Sequence, residues 1–202
     1  MTARNVASDL APRPAQNVAP DLAPGFASNA APDLAAGRDR SDGVGADLFR
    51  EALGRHASGV VAITAEVGGA PVGLTATSFT SVSLAPPLVS FYIADSSTTW
   101  PRLRLARIFG VHLLATDQAD LAARFADRGA DRFGPPTAWR PSEEGVPLID
   151  DAIAHLICDR HETHAIGDHW LVVGHVRRAL LNRRREPLLY HQGAFGGFAE
   201  LP

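Results

Sequence analysis

Short apolar segments rich in β-branched residues follow one another closely along this 202-residue chain, and their spacing limits the folds it can adopt. Residues 60–65 form one such segment, Gly68-Gly69 follows as a turn signal, and residues 71–77 are expected to return as the second strand of a hairpin. Parallel strands in one sheet need a crossover of about a dozen or more residues. Because most connections here are shorter, the spacing predicts an antiparallel sheet instead of repeated βαβ units.

The remaining apolar segments extend this pattern. Apolar residues at helical spacing predict a first short helix, and Pro101 fits the first turn of a second. Asp117 is expected to cap a third. Strands outnumber helices, so we predict a mainly β fold in which an antiparallel sheet closes into a barrel with two or three helices on its rim. The helices are placed at 47–57, 100–106 and 118–128, and the further strands at 88–93, 108–114, 152–159, 170–181 and 187–191.

Residues 1–44 differ in composition from the rest of the chain. They carry a degenerate 12-residue repeat, written NVASDLAP at 5–12, NVAPDLAP at 17–24 and NAAPDLA at 29–35. Alanine, proline and aspartate dominate, and such a segment buries too little apolar surface to offset the entropy of ordering it. We therefore predict a disordered tail over 1–44 and a folded domain over 45–202, with a partner-binding arm as the alternative role of the tail.

Composition excludes several function classes. The formal net charge is -3, which gives no basic footprint for nucleic acid, and no run approaches the roughly 20 apolar residues of a membrane span. A single cysteine, Cys158, forms no internal disulfide and fits a reducing compartment such as the cytoplasm. All 19 basic residues are arginine, so a Schiff-base lysine and a P-loop are absent. Neither a dinucleotide-binding G-x-G-x-x-G nor a hydrolase G-x-S-x-G motif is present.

Two stretches are rich in hydroxyl groups. Residues 73–83 hold six, and neighbouring backbone or a polar ligand would satisfy them equally well. Residues 95–99, with the sequence DSSTT, precede Trp100-Pro101, so they are either an anion site at a helix start or a simple N-cap. The six hydroxyl-bearing residues of the first stretch are Thr75, Thr77, Ser78, Thr80, Ser81 and Ser83.

Six of the eight histidines fall within residues 155–191. His161 and His164 are predicted to lie between strands and lack the spacing of a metalloprotease helix, so we expect no metal site. In Gly167-Asp168-His169-Trp170, a tight turn places an imidazole just ahead of a buried strand, although a solvated turn histidine is the simpler interpretation. Cys158 has apolar neighbours and is expected to be an inert core thiol, and 183–185 (RRR) a solvated loop.

Five motifs taken together resemble the flavin reductase family, the NAD(P)H:flavin oxidoreductase components of two-component monooxygenases. The resemblance spans Phe49 to Phe198 and implies an FMN-binding split β-barrel, a Greek-key-like antiparallel barrel that is usually a homodimer. The sequence departs from the family at Ala85, where an acid is common, and at Phe195, where tyrosine is common. The motifs are GLTATSFTSVSLAPPLVSF at 73–91, DSSTTWP at 95–101, LATDQADLAARFA at 114–126, DRF at 131–133 and GDHWLVVGHV at 167–176.

The resemblance also implies roles for individual residues. It places Thr75, Ala76, Thr77 and Ser78 along the flavin ring and Ser81, Val82 and Ser83 in the same pocket. It assigns the phosphate to Ser97 and Thr99, with Arg132 and Phe133 near the flavin. It puts Asp168 and His169 on the nicotinamide side, where His169 would orient the ring and is the catalytic candidate.

The implied reaction is hydride transfer from NADH or NADPH to free FMN or FAD, with reduced flavin passing to a separate monooxygenase. No nucleophile is needed, because the cofactors carry the chemistry and the protein supplies position and electrostatics. Two alternatives remain open at this point. One is a flavoprotein that keeps FMN tightly bound and acts as an electron carrier or oxidase, and the other is a barrel without enzymatic activity.

Overall fold

The computed structural model describes residues 43–182 and 185–201. Within them the chain forms three α-helices, twelve β-strands and a 3₁₀ turn at Thr116–Gln118. The predicted tail, apart from Gly43 and Val44, lies outside the described residues, as do two of the three arginines of 183–185. The helices are α1 (Ala46–Gly54), α2 (Trp100–Leu103) and α3 (Ala119–Ala126). The strands are β1 (Ser58–Gly59), β2 (Val61–Val67), β3 (Ala70–Ala76), β4 (Thr80–Leu84), β5 (Pro87–Ala94), β6 (Ile108–Leu113), β7 (Trp139–Pro141), β8 (Pro147–Ile149), β9 (Ala154–Ile166), β10 (His169–Leu181), β11 (Leu189–His191) and β12 (Ala194–Gly196).

Seven of these strands form one antiparallel sheet in the order β3-β2-β6-β9-β10-β5-β4. Two small antiparallel sheets accompany it, one of β1, β11 and β12 and one of β7 and β8. The short connections and β-branched segments thus produce the mainly β, antiparallel fold that they predict.

The large sheet must be strongly curled, because its two edge strands are consecutive in the chain. β3 ends at Ala76 and β4 begins at Thr80, and a link of that length reaches at most about 14 Å. In a flat seven-stranded sheet the outer strands would stand about 29 Å apart. The two edges of the curled sheet are thereby brought close together, as in the split barrel that the family resemblance implies.

Two hairpins set the register of the sheet. Gly68 and Gly69 take φ values of 64° and 78°, and this turn pairs Val67 with Ala70 as the sequence predicts. The longer hairpin joins β9 to β10, pairs Ile166 with His169, and turns at Gly167, whose φ is 60°. The second hairpin carries thirteen residues on each strand and so projects far along the sheet.

The core lies inside the curled sheet and continues beneath α3. Phe91 and Phe109 meet edge to face, with ring centroids 5.4 Å apart, among the buried residues of β2, β3, β5 and β6. The buried face of α3 packs outside β3 and carries Ala122, Phe125 and Ala126. This packing fixes the position of β3 and of the residues that follow it.

The structure departs from the sequence predictions in the third helix, in β9 and in five strands without a predicted counterpart, which are β1, β4, β7, β8 and β12. The third helix begins in a 3₁₀ turn, and Asp117 does not cap it, because that carboxylate pairs with Arg185 at 2.9 Å. Instead, the Gln118 side chain accepts a hydrogen bond from the amide of Ala115 at 3.0 Å. His161 and His164 lie within β9, not between strands, because β9 runs seven residues beyond the predicted 152–159 segment. The exposed edge strand β4 had no predicted counterpart.

Candidate functional site

Antiparallel pairing brings the DSSTT segment against the Gly167-Asp168-His169 turn. β10 pairs with β5 so that His169 lies opposite Ala94, the last residue of β5. The next residue, Asp95, donates its backbone N–H to the carbonyl of Asp168 at 2.9 Å. The segment at 95–99 and the turn therefore form one continuous surface at this end of the sheet.

Arg132 holds the other side of the same segment. Its guanidinium donates to the Gly73 carbonyl at 2.7 Å and also to the Thr99 hydroxyl. It further donates to the Asp127 carbonyl, from Nε at 3.1 Å and from an Nη atom at 2.7 Å. Arg132 thus joins β3, the start of α2 and the loop that follows α3.

Phe133, the residue after Arg132, packs over β3. Its ring meets Phe125 and Trp139 edge to face, at centroid distances of 5.2 and 5.5 Å. A Cβ placed on Gly73 would lie 2.7 Å from the Ile63 carbonyl oxygen and 3.1 Å from Phe133 Cζ. Only glycine fits at position 73, since both the strand and the aromatic ring press against it.

Main-chain groups satisfy part of the hydroxyl-rich stretch. The Thr75 hydroxyl donates to the carbonyl of Ala122 at 2.7 Å, so it anchors α3 on β3. The Ser78 hydroxyl accepts from the Tyr92 amide at 2.9 Å and donates to the Tyr92 carbonyl at 3.2 Å. The hydroxyls of Thr75 and Ser78 are therefore satisfied by backbone groups and not by a ligand. Ala76, which follows Thr75, is buried in the core.

Other hydroxyls of the stretch remain available. Within the described residues, the side chains of Thr77, Ser81 and Ser83 make no hydrogen bond to protein. Ser81 and Val82 are exposed and Ser83 is half-buried along the edge strand β4. Uncommitted donors of this kind suit the carbonyl and ring-nitrogen edge of a flavin, so the residues present fit that group.

The DSSTT segment forms hydrogen bonds both within itself and to neighbouring elements. The side chains of Ser97 and Thr99 are buried, and the Ser97 hydroxyl accepts from the Thr99 amide at 3.3 Å. The expected helix-start contribution is small, because α2 has only four residues and Thr99 makes no side-chain cap. A phosphate bound here would be held by hydroxyls and by the Arg132 side of the segment instead.

Asp168 and His169 interact directly. The Asp168 carboxylate and His169 Nδ1 lie 2.7 Å apart, which fixes the imidazole with Nε2 left for another contact. The hydrogen bond from His169 lowers the pKa of Asp168, so its carboxylate is charged at neutral pH. The pair can orient a bound ring without serving as an acid.

The other candidate groups do not form a site. His164 Nε2 lies 2.8 Å from the Glu162 carboxylate and pairs with it. No cluster of three potential metal ligands occurs in the part of the chain that the structure describes. Cys158 is fully buried, and burial raises the pKa of its thiol to about 12, as expected for an inert core cysteine. No helix among the described residues is long and apolar enough to cross a membrane.

Two tryptophans that the sequence did not indicate as site residues, Trp100 and Trp170, lie beside the site. Trp170 Nε1 donates to the Asp95 carboxylate at 2.8 Å, and the Trp170 ring lies 5.7 Å from that of Trp100. Asp95 and Trp170 are 75 residues apart in the sequence, so only the pairing of β5 with β10 brings them into contact. Beyond these indoles lies a cavity of about 350 Å³ whose lining includes none of the predicted site residues; it is formed by Trp100, Arg104, Arg160, His161, Glu162, Thr163 and Trp170.

Comparison with known proteins identifies the family of this chain. Residues 53–199 match the flavin reductase like domain. FMN reductase (NADH) SmoA of Agrobacterium fabrum is 42% identical over 151 residues, which cover 75% of this chain and 85% of that protein.

Solved structures show the same fold. Nitrilotriacetate monooxygenase component B of Mycobacterium thermoresistibile is 37% identical with a TM-score of 0.73, over 77% of this chain and 89% of that one. NADH:FAD oxidoreductase SgcE6 of Streptomyces globisporus, solved with NAD and FAD fragments, is 39% identical with a TM-score of 0.70, over 75% of this chain and 91% of that one. The chain therefore belongs to the flavin reductase family.

Proposed function

We propose that this chain oxidises NADH or NADPH and reduces free FMN or FAD, which then leaves for a separate oxygenase. The chain is an NAD(P)H-dependent flavin reductase, and its relatives include an NADH-dependent FMN reductase and a monooxygenase component. The observation that carries the assignment of the site is the direct bond between Asp95 and Asp168. It joins the segment suited to a phosphate with the turn suited to a nicotinamide.

When bound, the nicotinamide would supply a hydride from its C4 and the flavin would accept it at N5. The residues of this chain position the reactants. The hydroxyls of Thr77, Ser81 and Ser83 would bind the polar edge of the flavin, and Val82 would provide apolar contact. Ser97, Thr99 and the adjoining guanidinium hold the phosphate. This placement of two rings against each other supplies much of the acceleration.

His169 acts on the nicotinamide side. The Asp168 carboxylate holds Nδ1, so Nε2 is presented to the carboxamide or ribose of the dinucleotide. No proton has to be delivered for the hydride to move, and His169 therefore orients the ring.

The working form is a homodimer in the cytoplasm. Helix α1 has no buried residue and exposes Leu48, Phe49 and Leu53 on one face, which a second subunit would cover. A lone buried thiol suits the reducing cytoplasm, where nicotinamide dinucleotides are available.

Steady-state turnover tests the proposal. Purified protein is mixed with each of the four pairs of NADH or NADPH and FMN or FAD, and the nicotinamide absorbance is followed. With at least one pair, the nicotinamide should be oxidised at a rate well above that of the protein-free control. If no pair is, reductase activity is refuted. Flavin that stays with the protein through gel filtration would instead favour the tightly bound flavoprotein.

A further inference from the structure

Asp95 occupies the junction between the two proposed substrate-binding segments. It is the first residue after β5 and the first of the DSSTT segment. Its backbone N–H donates to the Asp168 carbonyl at 2.9 Å, and its carboxylate accepts from Trp170 Nε1 at 2.8 Å. Asp95 is therefore hydrogen-bonded to both the first and the last residue of the Asp168-His169-Trp170 sequence.

Trp170 also contacts the residue that follows the DSSTT segment. Its indole lies against that of Trp100, with centroids 5.7 Å apart and planes tilted by 37°. Trp100 is buried and directly follows Thr99, so the segment from 95 to 99 is held at its start by a hydrogen bond and at its end by ring packing. Both attachments end on the same half-buried tryptophan.

The charge of Asp95 is not explained by anion binding. A carboxylate two residues before Ser97 repels a phosphate held there, and no cation within the described residues pairs with it. Among the described residues, the one hydrogen bond to the Asp95 carboxylate comes from the indole N–H of Trp170, a group that can only donate and that needs an acceptor when half-buried. The geometry thus explains the side chain as an acceptor that fixes an indole.

We propose that Asp95 is a positioning residue: through Trp170 it sets the placement of the nicotinamide-side turn relative to the phosphate-side segment. The inference rests on the proposed function for its catalytic consequence. A displacement of about 1 Å between two reacting rings costs up to about a hundredfold in rate. Neither reactant needs to touch Asp95 for this effect.

Five variants test the coupling. Asp95→Ala should lower kcat with NADH by about 10- to 100-fold while the Kd for FMN changes less than about threefold. Asp95→Asn keeps an acceptor oxygen and should rescue the rate to within about twofold of wild type. Trp170→Phe keeps a ring but lacks the N–H, so it should reproduce Asp95→Ala, and the double variant should be no worse than either single one. Asp120→Ala, an exposed carboxylate on α3, is the matched control.

A measurement without substrates separates this inference from the reductase assignment. In the free protein, amide hydrogen exchange at residues 95–99 and 168–171 should become about tenfold faster in Asp95→Ala and in Trp170→Phe, and stay unchanged in Asp95→Asn and Asp120→Ala. Unchanged exchange in the first two variants, or equal losses in Asp95→Ala and Asp95→Asn, overturns the positioning role. Absence of turnover in the wild type refutes the reductase activity alone, since the exchange result still decides the coupling.

Discussion

The Nδ1 atoms of His112 and His155 lie 2.8 Å apart inside the fold, where both imidazoles are sealed from solvent. The Thr64 hydroxyl donates to the Pro147 carbonyl at 2.6 Å, so it must accept the Nε2–H of His112 at 2.7 Å. His112 Nδ1 is then an acceptor, and His155 Nδ1 must carry the proton between the two rings.

The far end of the chain of bonds agrees with this assignment. Asn182 donates through Nδ2 to the Ala152 carbonyl at 2.6 Å and to His155 Nε2 at 3.0 Å. Every donor therefore has one acceptor, and both rings are neutral. A proton added to either ring would leave two donors facing each other.

Acid should destabilise the protein through this pair. Burial and the neighbouring His155 lower the pKa of His112 from 6.5 to about 3, and burial, with Arg140, also lowers the pKa of His155. Below about pH 6.5 these two histidines are protonated in the unfolded chain but stay neutral in the folded one. Stability is thus complete above about pH 6.5 and falls as the pH is lowered, by up to about 1.4 kcal/mol per pH unit for His112 down to about pH 3. The lowered pKa of His155 adds a loss in the same direction.

Urea unfolding between pH 7.5 and 4.5 measures this slope. His112→Gln should cost about 3 kcal/mol at pH 7.5, because it breaks a buried network, and should make the slope shallower by about one proton. The exposed His56→Gln variant should leave both quantities unchanged. An equally steep slope in His112→Gln would show that the buried pair is not its source.

Gly73→Ala should destabilise the protein by about 1–3 kcal/mol, because the new Cβ would meet the Ile63 carbonyl at 2.7 Å and Phe125 Cε1 at 2.9 Å. Backbone and a packed ring cannot both yield. Gly59→Ala is the matched control, with no atom within 4 Å of its Cβ, and should change the melting temperature little. Similar losses in the two variants would contradict the close approach at position 73.

Arg132→Lys should weaken FMN binding by about tenfold and lower stability by about 1–2 kcal/mol, since one ammonium cannot reach the carbonyls of Gly73 and Asp127 and the Thr99 hydroxyl together. Fluorescence titration with FMN and thermal unfolding measure the two effects. Arg102→Lys, on the exposed face of α2, is the control. Wild-type FMN affinity in Arg132→Lys would refute its part in the flavin side of the site.

His169→Ala should reduce kcat with NADH by about 10- to 100-fold and leave the FMN Kd nearly unchanged, because the imidazole is expected to orient only the nicotinamide. Transient-state reduction of bound FMN by NADH reports the rate directly. His164→Ala, an exposed histidine on β9 paired with Glu162, should behave as wild type. Equal losses of flavin affinity and of rate would count against the role given to His169.

Local signals in the sequence predicted the fold class and most elements. Gly68-Gly69 identified the first hairpin because consecutive positive φ values favour glycine, and the β-branched segments located most strands of the large sheet. The extension of β9 over His161 and His164 was missed because polar, exposed residues there carry no apolar signal. The sheet continues because β10 provides the partner groups.

For the site, the sequence alone determined which residue types were available: a hydroxyl-rich strand, a second hydroxyl segment and a histidine on a tight turn. Tertiary structure decided which of their polar atoms are free. The hydroxyls of Thr75 and Ser78 are used by backbone, whereas those of Thr77 and Ser83 make no bond to the described protein. Asp95 acquires its role only from the β5–β10 pairing. Hydrogen-bond partners distant in the chain depend on strand register, which hydrophobic patterning fixes as a whole and no single motif contains.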